Sequence, residues 1–281
     1  MSQRIVGLLH PGEMGVSIAS AAKTSGCQVL WTSQGRGPST RKRALDANLT
    51  EEQHLSTLLN KAEIVISVCP PHAAIELAKE VAAHRYRGIF VDANAISPDS
   101  ARKIDGIVRT GGAAFVDGGI IGPPATRENL CRMYLCGKDA DEVAAVFLGS
   151  VLDARVVTGQ VGQASALKMA YAAWTKGSDA LMLAIRALAT HEGIESALMQ
   201  EWALSQPELT ARSNQAATGS APKAWRFAAE MREIANTFDA SGLPCGFHQA
   251  AAEIFERLKD FKHATAPSVD QVTEQIIGQR K

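Results

Sequence analysis

A short apolar run followed by a glycine-bearing turn opens the chain in a pattern suited to gripping a phosphate. Ile5-Val6-Gly7-Leu8-Leu9 reads as a buried strand, and His10-Pro11-Gly12-Glu13-Met14-Gly15 turns from it into a helix. Glycine at such a turn lets the backbone fold tightly and approach a pyrophosphate. The helix N-terminus then offers unpaired N–H groups and the positive end of its dipole. Gly12 and Gly15 supply the last two glycines of a G-x-G-x-x-G dinucleotide fingerprint, and His10 stands in place of the first. His10, Pro11, Gly12, Glu13 and Met14 are therefore the candidate cradle for a nicotinamide dinucleotide.

The next strand adds a preference. It ends Val29-Leu30-Trp31-Thr32-Ser33-Gln34-Gly35-Arg36, without the acid that binds the ribose hydroxyls of NAD. Arg41, Lys42 and Arg43 follow closely. A guanidinium can hold a 2′-phosphate with its planar fork and a serine can add one hydrogen bond. Ser33 and Arg36 thus predict NADP(H) as cofactor in preference to NAD; a solvated basic loop is the alternative.

These residues need a scaffold that places them at strand ends. Short apolar runs at 4–9, 28–32, 64–68, 89–92, 114–117 and 132–136 alternate with helical patterns at 14–23, 73–84, 98–108 and 141–149. Such alternation predicts an α/β domain, a mostly parallel doubly wound Rossmann sheet with helices on both faces. The pattern then changes: an Ala-, Leu- and Met-rich helical run covers 162–189, with further helices over 194–203, 223–241 and 246–261. Residues 207–222 are polar and read as irregular. The expected organisation is a Rossmann domain over 1–158 and an all-α domain over 159–281.

Composition narrows the function classes. The 281 residues carry 29 Lys plus Arg and 29 Asp plus Glu, so no global field draws the chain to nucleic acid or an anionic membrane. No basic face with interleaved aromatics signals nucleic-acid binding. No run approaches the ~18 apolar residues of a membrane helix, and the apolar run 5–9 is too short for a signal-peptide core. A cytoplasmic protein is expected. Its five cysteines form no C-x-x-C pair, which predicts buried thiols and neither a disulfide framework nor a metal site.

Several stretches together resemble the β-hydroxyacid dehydrogenase superfamily. That group includes 3-hydroxyisobutyrate dehydrogenase, phosphogluconate dehydrogenase and, more distantly, imine reductases. Gly7-x-x-x-x-Gly12-x-Met14-Gly15 resembles its opening. Val68-Cys69-Pro70-Pro71 resembles the strand-end loop beside the cofactor, and Val91-Asp92-Ala93-Asn94 the next strand end. Phe115-Val116-Asp117-Gly118-Gly119-Ile120-Ile121-Gly122-Pro123 falls where the family has its substrate loop. Gly159-x-x-Gly162-x-Ala164-x-x-x-Lys168 resembles the opening of its long interdomain helix. The later segment resembles a less-studied branch related to phosphogluconate dehydrogenase.

The resemblance implies a dehydrogenase or reductase with Lys168 as general acid/base and Tyr171 as a second donor to the substrate oxygen. Asn94, Cys69 and Pro70 would lie beside the cofactor, Asn94 also in a catalytic position. Gly118, Gly119, Ile121 and Gly122 would meet the substrate, with Thr175, Arg226 and His248 contributed by the helical domain. Each position also admits a plainer part: Tyr171 as core aromatic, Asn94 as a turn residue, the glycines as a loop, His248 as packing. Ile121 replaces the family's serine, Ala172 its asparagine and Thr175 the acid of phosphogluconate dehydrogenase, which argues against phosphogluconate decarboxylation. The implied substrate is a small polar hydroxy or oxo compound, possible members being hydroxy acids and sugar acids, and the implied assembly a homodimer. An imine reductase and a non-catalytic NADP-binding regulator stay open, although the lysine counts against the former.

Overall fold

The computed structural model describes residues 3–262 and 264–278. The chain divides into two compact units, Met1–Lys168 and Met169–Lys281.

The first unit is built on an eight-stranded sheet in the order β3-β2-β1-β4-β5-β6-β7-β8. In chain order it runs β1 (Ile5–Leu9), α1 (Glu13–Thr24), β2 (Gln28–Thr32), α2 (Pro38–Asp46), β3 (Thr50–Glu52), α3 (Leu55–Lys61) and β4 (Ile64–Ser67). It continues with α4 (Ala74–Ala83), β5 (Ile89–Asp92), α5 (Pro98–Gly111), β6 (Ala114–Ile121), β7 (Cys131–Cys136), α6 (Ala140–Ala145) and β8 (Leu152–Val156). Strand pairs from β3 through β6 are parallel, β6 meets β7 antiparallel, and β7 meets β8 in parallel. Reversal of winding about β1 and β4 creates a switch point at the carboxyl ends of these strands, where open α/β sheets bind ligands.

Strict alternation of side chains builds this unit. Val6, Leu8, Val29, Trp31, Ile64 and Val91 share one face of the sheet with Ile18 of α1 and Val143 of α6. Leu30, Val65, Phe90 and Phe115 share the other with Leu58 of α3, Val81 of α4 and Ile104 of α5. Both faces are covered, which is why the strands are continuously apolar. Each fully buried Phe, such as Phe90 and Phe115, contributes roughly 1.5–3 kcal/mol of burial. Helix α5 follows its sequence signals closely: Ser97 caps it by accepting from the Ser100 N–H at 3.2 Å, Pro98 occupies its first turn, and Gly112 ends it at φ 102°.

The second unit is helical. It takes up most of α7 (Gln163–His191), then α8 (Glu195–Ser205), α9 (Leu209–Ser220), α10 (Ala224–Ala240), α11 (Gly246–Arg257) and α12 (Val269–Gly278). Its interior holds paired charges. Lys176 meets Glu230 at 2.8 Å with both side chains nearly buried, and its ammonium lies 5.0 Å from the Phe227 ring centre. Buried Arg186 donates to Ser213 at 2.9 Å and to Asn214 at 3.2 Å and pairs with Glu195. The Ser220 hydroxyl donates to Asp179 at 2.6 Å. Among the described residues, no helix is long and apolar enough to cross a membrane.

Four features differ from expectation. The polar stretch 207–222 holds α9, because Ser213 and Asn214 face inward to partner Arg186. Strand β6 extends to Ile121, so the expected loop at 118–121 is strand. The short edge strand β3 and the polar β8, Leu-Asp-Ala-Arg-Val, lack the apolar runs of the central strands. Finally, the units part inside α7, after Lys168 rather than at residue 158. The first turns of α7 are tied to β6, as described next.

Candidate active site

The turn from β1 to α1 is tight. His10 has φ 69°, a left-handed conformation in which glycine is the relaxed residue. The Gly12 N–H donates to the His10 carbonyl at 2.8 Å. A Cβ on Gly15 would overlap that same carbonyl oxygen. Gly12 itself begins α1 with extended backbone, and no side chain caps the helix. Its first N–H groups are therefore left for a ligand. Pro11 is buried, while Glu13 is exposed in the first helical turn and Met14 half-buried.

A cavity of about 380 Å³ lies at the carboxyl ends of β1 and β2, lined by His10, Thr32, Gln34, Arg36, Glu76 and Glu80 among others. Two buried nitrogens, His10 Nδ1 and Arg36 Nε, have no hydrogen-bond partner among the described residues. Burial, helped by the Arg36 charge, pulls the His10 imidazole down to about 4, so it is neutral at pH 7. Burial also pulls Arg36 below the usual guanidinium value, opposed by the carboxylate of Glu80. The other basic residues are occupied. Arg41 donates to the Ser33 and Arg36 carbonyls and pairs with Glu51; Arg43 donates to the Pro11 carbonyl and the Thr40 hydroxyl. Ser33 is buried behind Arg36.

A polar chain runs across the carboxyl ends of β4 and β5. The Cys69 N–H donates to Asn94 Oδ1 at 2.5 Å. Asn94 Nδ2 donates to Ser67 at 3.0 Å and to Asp92 at 2.8 Å. Both amide hydrogens are thus committed inside the fold. In this arrangement Asn94 positions the loop holding Cys69 and Pro70. Burial pushes the Cys69 thiol up to about 12, which makes it inert as a nucleophile. Burial likewise lifts Asp92 to about 7 against two Asn94 hydrogen bonds.

The β6–α7 junction was not singled out by sequence. Asp117, fully buried at its register position beside Asp92, accepts from the Gly162, Ala164 and Ser165 N–H groups at 2.9, 2.9 and 3.1 Å, and from the Ser165 hydroxyl at 2.5 Å. Its carboxylate caps the start of α7. Burial raises it while these bonds oppose the shift. One turn on, Lys168 sits over Gly119: a Cβ on that glycine would lie 3.1 Å from the Lys168 Cβ and overlap the Ala164 carbonyl. Burial pushes the nearby Cys131 thiol up to about 11, and the Lys168 charge works against it.

The stretch expected as a substrate loop is closely packed. Gly119 makes room for α7, Gly118 for the Asp92 carbonyl, and Gly122, at φ 115°, for the Leu130 carbonyl. Ile121 is buried strand residue opposite Arg132. These positions accommodate protein backbone. The signal available in sequence was Asp117 itself, a lone carboxylate inside an apolar strand run, which requires donors nearby.

The remaining candidates belong to the second unit. Tyr171 is 46% exposed on α7, and the Thr175 hydroxyl donates to the Tyr171 carbonyl at 3.3 Å. Arg226 is exposed on α10, its guanidinium 5.4 Å from the Phe227 ring centre. His248 is buried against Phe238 and Phe247, at ring-centre distances of 4.1 and 5.4 Å, and burial lowers its pKa. It packs among the aromatic rings of α10 and α11. Among the described residues, no group of three His, Cys, Asp or Glu side chains could hold a metal ion.

A doubly wound sheet, an uncapped helix at its switch point and a cavity with two unpartnered nitrogens define a dinucleotide-binding unit. The chain belongs to the family whose defining part is the NAD binding domain of 6-phosphogluconate dehydrogenase, which matches residues 5–154. A domain of unknown function, DUF1932, matches residues 189–258. An uncharacterised 28.5 kDa protein of Methanothermus fervidus is 28% identical over 195 residues, 69% of this chain and 74% of that one. Among solved structures, the conserved protein MTH1747, of unknown function and described as similar to 3-hydroxyacid dehydrogenases, matches with TM-score 0.68 and 28% identity, over 92% of this chain and 98% of that one. The 3-hydroxyisobutyrate dehydrogenase of Mycobacterium tuberculosis shares the fold at TM-score 0.67 and 15% identity over the whole of both chains. A Streptomyces aurantiacus imine reductase does so at 0.54 and 18%, over 96% of this chain and 99% of that one.

Proposed function

We propose that this chain is an NADP-dependent oxidoreductase acting on a small polar hydroxy or oxo compound, with Lys168 as general acid/base. One observation carries the reading: His10 and Arg36, which line the cavity at the carboxyl ends of β1 and β2, each hold a buried nitrogen with no hydrogen-bond partner among the described residues. Such groups are costly as they stand, and a ligand that reorders these side chains would satisfy them. The residues fit a dinucleotide. The α1 N-terminus and Gly12 would receive its pyrophosphate, and Arg36 its 2′-phosphate. Bound there, the nicotinamide supplies hydride exchange.

The chain's own part is proton transfer. Asp117 and Gly119 seat the first turns of α7 on β6 and so fix the backbone that carries Lys168. As a free amine Lys168 would take the proton of a carbinol hydroxyl, and as ammonium it would give one to a carbonyl oxygen. The protein is screened with NADPH or NADP against oxo acids, hydroxy acids and sugar acids by nicotinamide absorbance. Lys168→Ala is expected to abolish turnover while calorimetric binding of the nucleotide persists. Persistent turnover in Lys168→Ala would sink the acid/base assignment; no turnover of any substrate by the native chain favours a regulator.

The reading extends to a homodimer. Trp174, Leu181 and Leu188 stand seven residues apart on α7 and are 66%, 46% and 61% exposed, a stripe that a second copy would cover. Leu181→Glu is expected to shift sedimentation from dimer to monomer. A native monomer would remove this extension.

A further inference from the structure

Arg36 is the basic residue after β2 left without a side-chain partner at its buried Nε, since Arg41 and Arg43 are held by carbonyls, a hydroxyl and Glu51. Yet its cavity is not simply cationic. Glu76 and Glu80, one helical turn apart on α4, line the same space, and His10 beside Arg36 is neutral at pH 7. Glu76 is already engaged, accepting from Lys79 at 2.7 Å. Glu80 is the carboxylate whose charge acts on Arg36.

We propose that Glu80 sets which nicotinamide dinucleotide this cavity prefers, by competing with a ribose 2′-phosphate for the Arg36 guanidinium. The inference rests on the cofactor reading above and adds a residue to it. A dianionic phosphate arriving at Arg36 must displace the attraction of Glu80 and approach its negative charge. A ribose carrying only hydroxyls meets neither cost and can donate to the carboxylate. Preference for NADP over NAD is thus a balance, with Arg36 on one side and Glu80 on the other.

Titration calorimetry of the full chain with NADP and with NAD tests this. Glu80→Gln is expected to raise the NADP:NAD affinity ratio about fivefold, the order of a unit-charge interaction through a largely aqueous medium. Arg36→Ala should lower the ratio, and in that background Glu80→Gln should raise it by less, because only the direct repulsion and the hydroxyl contact remain. Glu76→Gln, whose native carboxylate is held by Lys79, should move the ratio less than Glu80→Gln. All three positions line the cavity, and a thermal melt of each variant verifies that it folds. A ratio unmoved by Glu80→Gln, or moved equally with and without Arg36, overturns the proposal while the cofactor reading stands. If the native chain binds neither nucleotide, both fall together.

Discussion

Two helices of this chain begin against the sheet, α1 after β1 and α7 over β6 with β4 and β5 between those strands, and they treat their N-termini in opposite ways. Helix α7 is closed: the Asp117 carboxylate takes three of its first N–H groups and the Ser165 hydroxyl. Helix α1 is open: Gly12 precedes it, no side chain caps it, and the strand before it ends at a cavity that Leu9 and His10 help to line. The physics is the same in both places, unpaired donors at the positive end of a helix dipole. The difference is who supplies the anion. At α7 the fold supplies it and gains a fixed platform for Lys168. At α1 no side chain supplies it, and in the proposed reading a ligand does.

Removing the internal anion should have the larger effect. Asp117→Ala leaves three buried N–H groups and a buried hydroxyl without an acceptor, a loss of at least about 3 kcal/mol in denaturant unfolding. A loss under about 1 kcal/mol would mean the carboxylate is dispensable and the contrast with α1 is cosmetic. The converse change installs an anion where none exists. Gly12 has open space at its Cβ position and an ordinary φ of −72°. Gly12→Asp should therefore leave stability unchanged or slightly improved, while dinucleotide affinity drops at least about tenfold. Unaltered affinity in that variant would show that no ligand anion uses the α1 terminus.

The smallest effect concerns His10. Its left-handed backbone should make His10→Gly more stable by about 1 kcal/mol. The imidazole adds a pH term. Its pKa falls from 6.5 in the ordinary state to about 4 in the fold, so the folded chain resists protonation. The neutral ring is accommodated fully above pH 6.5, and stability is lost as pH falls from there towards 4. His10→Gly lacks this loss, so its advantage should widen as the solution is acidified. An advantage constant between pH 7 and pH 4 would place the ring in solvent.

Legibility from sequence followed how local each signal was. The fingerprint at 10–15 and the Ser97-Pro98 start of α5 depend on nearby residues and were readable directly. Asp117 was not, because its donors lie more than forty residues away in sequence and the family resemblance gave the surrounding stretch another part. Helix α9 was hidden for a related reason. Its inward Ser213 and Asn214 look like loop residues until Arg186 is seen buried against them. Glu76 and Glu80 read as an exposed helix face, and only the fold brings them to the cavity of Arg36. His248 shows the reverse case: a chemically capable side chain that the fold packs among aromatic rings.

The seam inside α7 bears on how the sheet unit can exist alone. A polypeptide stopping at residue 158 would contain Asp117 but none of its donors at Gly162, Ala164 and Ser165. It would carry an orphaned charge in the middle of its sheet. Continued through Lys168, the same polypeptide brings its own stopper and can close. The first compact unit of this protein therefore ends partway along a helix, with Lys168 as its last residue.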